Sequence, residues 1–529
     1  MKKILTILLA TAIILAMSVS VFAAENTTLT IENSDGRTYY GYKLLNLTTS
    51  LKDGEHPAPC DGTKHVVACY NYAYTVNEKY RSILQNEVFA KIATKPEAAT
   101  DITDAQILEY LAAQESDGEN NDYKSMRDVA DRLYRAIKES TLSEDATLTG
   151  ENKTIAQGYW MFADVSALDG NEANSLVMVD TKGQDELTIT PKTDLPTIEK
   201  KVKDINNSND DSIDDNAWQD SADHDINDVV PFKLTATLPD NVTYFEEYKI
   251  VFHDKLSDGF TFDKTSVKVY MYATKDDADN NNNGVDVTDN FVTKTDDLND
   301  NDCTFEVTCE DVLSIDDVTK DTAFVVYYEA TLDTDAVIGA AGNPNEVYLE
   351  FSNDPYSDGT GKTEKDRVIV FTYKLVINKV DSDNNPLKGA GFTLYKKGSD
   401  GKYAEVGDEI SGTDMTQFVW TGLDDGDYKL EESTVPAGYN KMADKEFTIS
   451  AEHDEISDTP SLISLSGGNL ATGVVDTGII EQAIVNNAGT VLPETGAAGT
   501  MWLIFGGAVI AILAAVFMVT RKKMSVYED

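Results

Sequence analysis

Cysteine and histidine are scarce in this 529-residue chain, which has four Cys and five His. Four cysteines are too few to form a disulfide framework in a chain of this length. The sequence contains no Cys-x-x-Cys or His-Glu-x-x-His spacing, and no P-loop, Gly-x-Ser-x-Gly or dinucleotide fingerprint. These absences leave no zinc site, no cofactor site and no catalytic site for an external substrate.

Basic residues are also few, since 44 Lys and Arg face 92 Asp and Glu, for a formal net charge of −48. So acidic a surface repels nucleic acid phosphates and anionic lipid headgroups, which excludes a nucleic-acid binder and a peripheral membrane protein. A hydrophobic content of 41% is too high for a disordered acidic chain. The charge therefore coats folded domains, and the length suggests about three or four of them.

The N-terminus has the three regions of a secretory signal peptide. Met1-Lys2-Lys3 is followed by an apolar run over 4–17 and by the small-residue site Val21-Phe22-Ala23. The pattern predicts cleavage after Ala23, so that residues 1–23 are removed and the remainder is secreted. An uncleaved membrane anchor is the alternative.

The C-terminus carries a pentapeptide, an apolar segment over 502–519 and a basic cluster over 521–523. The segment is long enough to span a bilayer, and the basic cluster holds its end in the cytoplasm. The order resembles the LPxTG cell-wall sorting signal of Gram-positive surface proteins. That resemblance implies that a sortase cleaves after the threonine, leaving a mature extracellular chain of residues 24–495 anchored to the cell wall. The pentapeptide, within a signal spanning 491–529, is Leu492, Pro493, Glu494, Thr495 and Gly496.

Between the two ends the residue pattern predicts a mainly β chain of tandem immunoglobulin-like β-sandwiches. The first module, 24–193, mixes alternating strands with two helical stretches, one after the capping candidate Thr103 and one over 126–137. The second module, 194–372, and the third, 373–490, have short alternating strands separated by Asp, Asn and Gly clusters.

The second and third modules each carry recognisable strings. The third resembles the collagen-adhesin B-type domain of surface proteins and pilins, through 375–381, 386–394, 428–432 and Pro436-Ala437-Gly438-Tyr439. The second resembles the isopeptide-forming middle domain of pilin backbone subunits, through Pro231-Phe232, 253–259 and 351–355. Both resemblances imply a bond that forms when a buried Lys amine attacks an Asn carboxamide beside a carboxyl group.

Strand alternation agrees with the resemblance on the residues for this bond in the third module. Lys379, Glu432 and Asn486 each share a strand face with apolar neighbours, so we expect all three side chains to point into the core. The resemblance gives them the roles of nucleophile, catalytic carboxyl and electrophile. Glu431 and Asn487 are the alternates one position away.

In the second module the same argument selects Lys200 over Lys201, because Lys200 shares a face with Ile198 and Val202. Asn353 is the expected electrophile and Asp254 the expected carboxyl. Asp228, in the acidic stretch before Val229, is the alternative carboxyl. In the first module Lys43 and Asn174 lie in strand-like segments, and whether a third bond forms there is left open.

Lys192, in the string Thr190-Pro191-Lys192-Thr193, resembles the acceptor lysine of the pilin motif. The resemblance implies that sortase joins Thr495 of one subunit to Lys192 of the next, and such head-to-tail linkage builds a filament. The chain is therefore interpreted as a structural shaft subunit of a covalent pilus. Its implied partners are pilus-class and housekeeping sortases, identical subunits, minor pilins, peptidoglycan and a host or extracellular-matrix ligand.

Two further hypotheses of function remain. A singly anchored adhesin or minor pilin would leave Lys192 unused, and a secreted hydrolase would need a catalytic constellation that the sequence lacks.

The segment 279–290 has the first half of a calcium loop, but Asn290 stands where a bidentate Glu is expected, so an acidic surface loop is favoured. Disulfides between Cys60 and Cys69 and between Cys303 and Cys309 are left open.

Overall fold

The computed structural model describes residues 26–32, 37–51, 70–114, 124–149, 152–166, 170–189, 195–204, 218–489 and 497–524. The predicted signal peptide, the sorting pentapeptide, Lys192, Cys60 and Cys69 lie outside these ranges. The first module consists of strands β1 (Asn26–Ile31), β2 (Thr38–Leu51) and β3 (Tyr70–Val76), helices α1 (Arg81–Lys91), α2 (Asp104–Ala112) and α3 (Lys124–Glu139), and strands β4 (Ala146–Thr149), β5 (Lys153–Ala156), β6 (Gly158–Asp164), β7 (Leu176–Asp180) and β8 (Glu186–Ile189).

The helices of this module cover one side of a sheet in which strands run in the order β3-β2-β6-β7, with β4 also paired to β2. A second sheet has the order β5-β1-β8. Helix α2 begins where the sequence predicts, because Thr103 and Gln106 form a reciprocal capping box at its N-terminus. The predicted stripe on α3 packs into the core through Val129, Leu133 and Ile137. Helix α1 was not predicted from the sequence.

The second module is a sandwich of two sheets. It contains β9 (Thr197–Lys203), β10 (Trp218–Gln219), β11 (Ser221–Asp223), β12 (Val229–Thr237), β13 (Ile250–Leu256), β14 (Phe260–Tyr272), the short helix α4 (Lys275–Asp279), β15 (Val285–Asp286), β16 (Val292–Lys294), β17 (Phe305–Cys309), β18 (Ala323–Leu332), β19 (Asn343–Ser352), β20 (Thr360–Lys362) and β21 (Asp366–Phe371). One sheet has the order β10-β9-β12-β18-β14-β15, and the other β11-β21-β19-β13-β17-β16, with β20 added beside β19.

The core of the second module lies between these sheets and follows strand alternation. Phe232, Leu234 and Ala236 of β12 lie beside Phe324, Val326 and other inward residues of the neighbouring strand β18, and all of them are inaccessible to solvent. A side chain placed at one of these alternate positions must therefore be apolar or find a partner in the interior. This rule governs the polar cluster described below.

The third module contains β22 (Tyr373–Asp381), β23 (Gly391–Lys397), β24 (Tyr403–Glu405), β25 (Ile410–Ser411), β26 (Gln417–Leu423), β27 (Gly426–Thr434), β28 (Lys445–His453), β29 (Leu462–Ser466), β30 (Gly473–Val474) and β31 (Ile479–Asn486). Its sheets have the orders β26-β22-β31-β30 and β24-β23-β27-β28-β29, with β25 paired to β23. The first strand, β22, and the last, β31, run parallel and adjacent over their whole length.

The last described element is helix α5 (Ala497–Met524), whose apolar stretch Leu503–Arg521 is exposed along its length and is long and apolar enough to cross a membrane. At 1.5 Å per residue those 19 residues span about 28 Å, close to the hydrocarbon thickness of a bilayer. The prediction of an apolar segment after the pentapeptide is confirmed.

The predicted mainly β architecture with helices inserted into the first module is confirmed by these sheets.

Cys303 and Cys309 are free thiols, and burial raises the pKa of Cys303 to about 12 and that of Cys309 to about 11. In the loop considered for calcium, the Asn281 side chain accepts a hydrogen bond from Tyr272 and the Asp286 carboxylate accepts one from the Thr288 N–H. Both side chains thus serve the local turn.

Candidate cross-linking sites

Lys200 is the centre of a polar cluster inside the second sandwich. It lies on β9, where pairing with β12 places it opposite Leu234, and its side chain is fully buried. Its Nζ contacts the Asp254 carboxylate on β13 of the facing sheet and donates a hydrogen bond of 2.8 Å to the hydroxyl of Tyr328 on β18. The predicted pair of Lys200 and Asp254 is therefore brought together between the two sheets.

Burial sets the protonation of this pair. Removal from water lowers the pKa of Lys200, and it raises the pKa of Asp254. Both shifts favour a neutral amine beside a protonated carboxyl over two buried charges. A neutral amine is a nucleophile, and a protonated carboxyl can donate a hydrogen bond to a carbonyl oxygen.

The amide at this cluster is Asn345, and the prediction of Asn353 is corrected here. Asn345 lies on β19, is fully buried, and donates from Nδ2 to the Tyr328 hydroxyl at 2.6 Å. Val347 is the residue of β19 that pairs with Asp254. Asn353 follows the other end of this strand, six residues beyond Val347, which places it roughly 20 Å from Val347 along the strand. Alternation could not separate the two asparagines, because they are eight residues apart and share a face.

Tyr328 is the member of the cluster that sequence reasoning missed. Its hydroxyl accepts hydrogen bonds from Lys200 and Asn345 and lies 3.0 Å from Asp254 Oδ2, to which it donates. Burial raises its pKa, so the phenol stays protonated. The sequence feature that could have pointed to Tyr328 is its inward position on β18 between Val326 and Ala330. A Tyr at such a position is more often a packing residue.

The alternates in the second module lie elsewhere. Lys201 points to the opposite face of β9 and forms an ion pair with Asp220 at 2.6 Å. Asp228 is partly exposed and lies 3.7 Å from the ring of His224. Neither of them contacts Lys200 or Asp254 in the described structure, which leaves Lys200 and Asp254 as the pair at this site.

The third module holds a second cluster, made of the three residues predicted from strand alternation. Lys379 on β22, Glu432 on β27 and Asn486 on β31 are all buried. Asn486 donates from Nδ2 to Glu432 at 2.6 Å, and Lys379 Nζ donates to the carbonyl of Ile484, its partner in the strand register, at 2.9 Å. Within the described part of the chain, Asn486 Oδ1 is buried without a hydrogen bond.

The electrostatics of this cluster favour the same chemistry. Burial lowers the pKa of Lys379 to about 8, so about a fifth of the amine is neutral at about pH 7.4. The other Glu432 oxygen accepts the backbone N–H of Met442 at 2.8 Å, which fixes the carboxyl beside the amide. The alternates point outward: Glu431 pairs with Lys441 at the surface, and Asn487 is exposed.

In the first module the structure keeps Lys43 and Asn174 apart. Lys43 is half-buried on β2 opposite Trp160, and burial lowers its pKa. Asn174 is buried and donates from Nδ2 to the carbonyl of Ser166, beyond the far end of β6. Four residues of β6 separate Trp160 from Asp164, or about 13 Å, so the two side chains do not share a cluster.

Comparison with known proteins identifies two parts of the chain. Residues 373–460 match the SpaA family, described as a prealbumin-like fold domain, and residues 484–525 match the LPXTG cell wall anchor motif. The predicted sorting signal is thus confirmed, and the anchor makes this a cell-wall protein of the bacterial surface. The trypsin-resistant surface T6 protein of Streptococcus pyogenes serotype M6 is 31% identical over 129 residues. That match covers 22% of this chain and 23% of the T6 protein.

Solved structures similar to this chain include two pilins. The T6 backbone pilin of serotype M6 Streptococcus pyogenes has 16% sequence identity and a TM-score of 0.48, with 89% of this chain and 100% of that chain covered. The full-length major pilin SpaD from Corynebacterium diphtheriae has 15% identity and a TM-score of 0.42, with 89% of this chain and 99% of that chain covered.

Proposed function

We propose that this protein is the shaft subunit of a covalently polymerised surface pilus, stiffened by two internal Lys-Asn isopeptide bonds. The observation that carries the proposal is the pair of buried clusters, each of which combines an amine, a carboxyl and an amide on core-facing strands. The cell-wall anchor and the similarity to the T6 protein, a backbone pilin by name, support it. The function is structural, and the chain is a sortase substrate.

In the second module the bond joins Lys200 to Asn345. The neutral Lys200 amine attacks Cγ of Asn345, the new N–C bond forms as the old amide C–N bond breaks, and ammonia leaves. Protonated Asp254 donates a hydrogen bond to the carbonyl oxygen and carries the proton from the amine to the departing nitrogen. Before the reaction, the Tyr328 hydroxyl is hydrogen-bonded to the Lys200 amine, the Asn345 amide and the Asp254 carboxyl.

In the third module the bond joins Lys379 to Asn486, with Glu432 in the role of the carboxyl. Because these residues lie on the first and last strands of the module, which are parallel neighbours, the bond connects the point where the chain enters to the point where it leaves. A pulling force along the filament therefore crosses one covalent bond. The hydrogen bonds of the intervening strands are spared.

Between subunits, sortase joins the Thr495 carbonyl to an amine of the next subunit, and Lys192 is the proposed acceptor. A sortase cysteine attacks the carbonyl, Gly496 leaves, and the lysine amine resolves the acyl-enzyme. In the cell, wild-type protein gives a ladder of covalent oligomers in wall extracts, and Lys192→Ala gives a single monomeric band. A ladder that persists in Lys192→Ala moves the acceptor elsewhere, and no ladder from wild type favours a singly anchored adhesin.

The internal bonds are tested by the intact mass of residues 24–495. Each bond releases one ammonia, about 17 Da, so wild type is about 34 Da lighter than its sequence mass. Lys200→Ala and Asn345→Ala each halve the deficit, whereas the matched controls Lys201→Ala and Asn353→Ala leave it unchanged. A wild-type mass equal to the sequence mass removes the self-crosslinking chemistry, and a deficit halved by Asn353→Ala restores that residue as the electrophile.

A further inference from the structure

Asp366 is a carboxylate beside the cross-linking site of the second module that takes no part in the reaction described above. It begins β21, in the same sheet as β13 and β19. The strand register places Asp366 opposite Val347, and Val347 opposite Asp254. Directly paired residues of neighbouring antiparallel strands point to the same face of a sheet. Asp366 and Asp254 therefore both point toward the sheet that carries Lys200.

The two carboxylates contact opposite ends of Lys200. Asp254 contacts Nζ, at the tip of the side chain, and Asp366 Oδ2 accepts a hydrogen bond of 2.6 Å from the backbone N–H. The aliphatic part of the lysine side chain lies between these two contacts. The facing sheet thus holds the residue both at its reactive amine and at its backbone.

The backbone N–H of Lys200 needs this partner because of where β9 lies in its sheet. On one side, β12 pairs with β9 from Thr197 to Val202. On the other side, β10 pairs only with Val202 and Lys203. Asp366 accepts the Lys200 N–H at the part of this edge that β10 does not cover. Without that acceptor, the N–H of a fully buried residue would be left unsatisfied.

The third module fixes its lysine without a side chain. The backbone N–H of Lys379 donates to the carbonyl of Thr416, directly before β26, at 2.7 Å. A neighbouring segment of backbone therefore positions Lys379 in the way that a carboxylate positions Lys200. The bond of the third module is for this reason an internal reference against which any effect of Asp366 can be measured.

The partners of Asp366 are backbone groups. Its other oxygen accepts the N–H of Arg367 at 2.9 Å, and within the described part of the chain it forms no ion pair. The nearby cation Lys201 is paired with Asp220 at 2.6 Å. Burial raises the pKa of Asp366, and the hydrogen bonds from the two backbone N–H groups oppose that rise. The side chain thus acts as a hydrogen-bond acceptor for backbone rather than as a counter-ion.

The charge of Asp366 opposes the chemistry at Lys200, whereas its hydrogen bond supports it. Burial lowers the pKa of Lys200, and the negative charges of Asp254, Asp366 and Glu346 raise it. Removing the charge of Asp366 would therefore make the neutral, nucleophilic amine easier to form. A loss of rate when Asp366 is removed must then come from the lost hydrogen bond and not from the lost charge.

We propose that Asp366 is a positioning residue for the bond between Lys200 and Asn345, holding the Lys200 backbone where the amine meets the amide. The inference rests on the proposed self-crosslinking function. A misplacement of about 1 Å between reacting groups can slow a reaction about a hundredfold. A hydrogen bond that fixes the backbone of the nucleophile therefore has a large effect on the rate of bond formation.

The test measures how fast the bond of the second module forms. Residues 24–495 carrying Lys379→Ala can form only that bond, and the loss of about 17 Da is followed by mass while unreacted chain is refolded from urea. We expect Asp366→Ala to slow this loss at least tenfold. Asp366→Asn keeps an oxygen that can accept the Lys200 N–H, so it should react at least as fast as the chain with Asp366. The matched control Glu364→Ala removes a carboxylate from an exposed position two residues away and should leave the rate unchanged.

Two further variants separate positioning from a general loss of folding. In a chain carrying Lys200→Ala, where only the bond of the third module forms, Asp366→Ala should leave the rate of that bond unchanged. Asp366→Glu keeps the charge but moves the carboxylate by one methylene group, and it should slow the second-module bond severalfold. This milder variant keeps the test decisive if Asp366→Ala fails to fold.

The possible failures are distinguishable. An unchanged rate in both Asp366→Ala and Asp366→Glu, or an Asp366→Asn variant as slow as Asp366→Ala, would overturn the positioning role. Equal slowing of the third-module bond would also overturn it, because the effect would then be one of general folding. No loss of mass in the chain that retains Asp366 would instead refute the self-crosslinking chemistry itself.

Discussion

Replacing Asn486 with alanine tests the covalent bond of the third module at its electrophile. The bond to Lys379 closes a loop of about 100 residues, and a cross-link of that span stabilises the folded state by about 4.7 kcal/mol at 25 °C through the lost entropy of the unfolded chain. Removal of the Asn486 side chain also deprives buried Glu432 of the amide group beside it, which adds about 1–3 kcal/mol. The variant should therefore lose roughly 6 kcal/mol of unfolding free energy.

The assay is differential scanning calorimetry of residues 24–495 beside intact mass. At about 4 °C per kcal/mol, the transition of the third module should fall by roughly 20 °C or more, and the mass deficit should shrink by about 17 Da. Asn487→Ala is the matched control, because it removes the neighbouring amide from an exposed position. If Asn486→Ala keeps both the deficit and the transition, the argument from strand alternation and burial is wrong for this module.

Three further outcomes are expected. The rate at which the Lys379 bond forms can be followed by mass when unreacted chain is refolded from urea. This rate should rise about tenfold per pH unit up to the Lys379 pKa of about 8 and then level off, because the neutral amine is the nucleophile. A rate that does not change over about pH 6–8 would contradict this role of the neutral amine. Thr103→Ala, which removes the cap of α2, should cost about 1 kcal/mol in the urea unfolding of the first module and leave the mass deficit unchanged. Gly422→Ala should destabilise the junction of the later modules by more than about 1 kcal/mol, measured as a lower melting temperature, because its φ is +73° and an added Cβ would lie 1.7 Å from Ile226 Cγ1.

The two clusters differ in how far the sequence could define them. In the third module, each residue of the proposed bond ends a run of alternating apolar positions, so period-two patterning alone selects Lys379, Glu432 and Asn486 over their neighbours. In the second module the same rule selects Lys200, which is buried beside Asp254. It gives no distance along a strand, so it could not decide between Asn345 and Asn353.

The sequence by itself determined the properties that depend on local pattern. These are the mainly β architecture, the capped helix after Thr103, the apolar segment behind the sorting pentapeptide and the inward face of Lys200, Lys379, Glu432 and Asn486. Alternation, capping and run length each depend on the sequence of one strand or helix. The tertiary structure decided what depends on register between strands. Only the strand register within one sheet places Tyr328 beside Lys200, and only the packing of the two sheets brings Asn345 to the same hydroxyl. Such neighbours are far apart in the chain, and no local pattern encodes their distance.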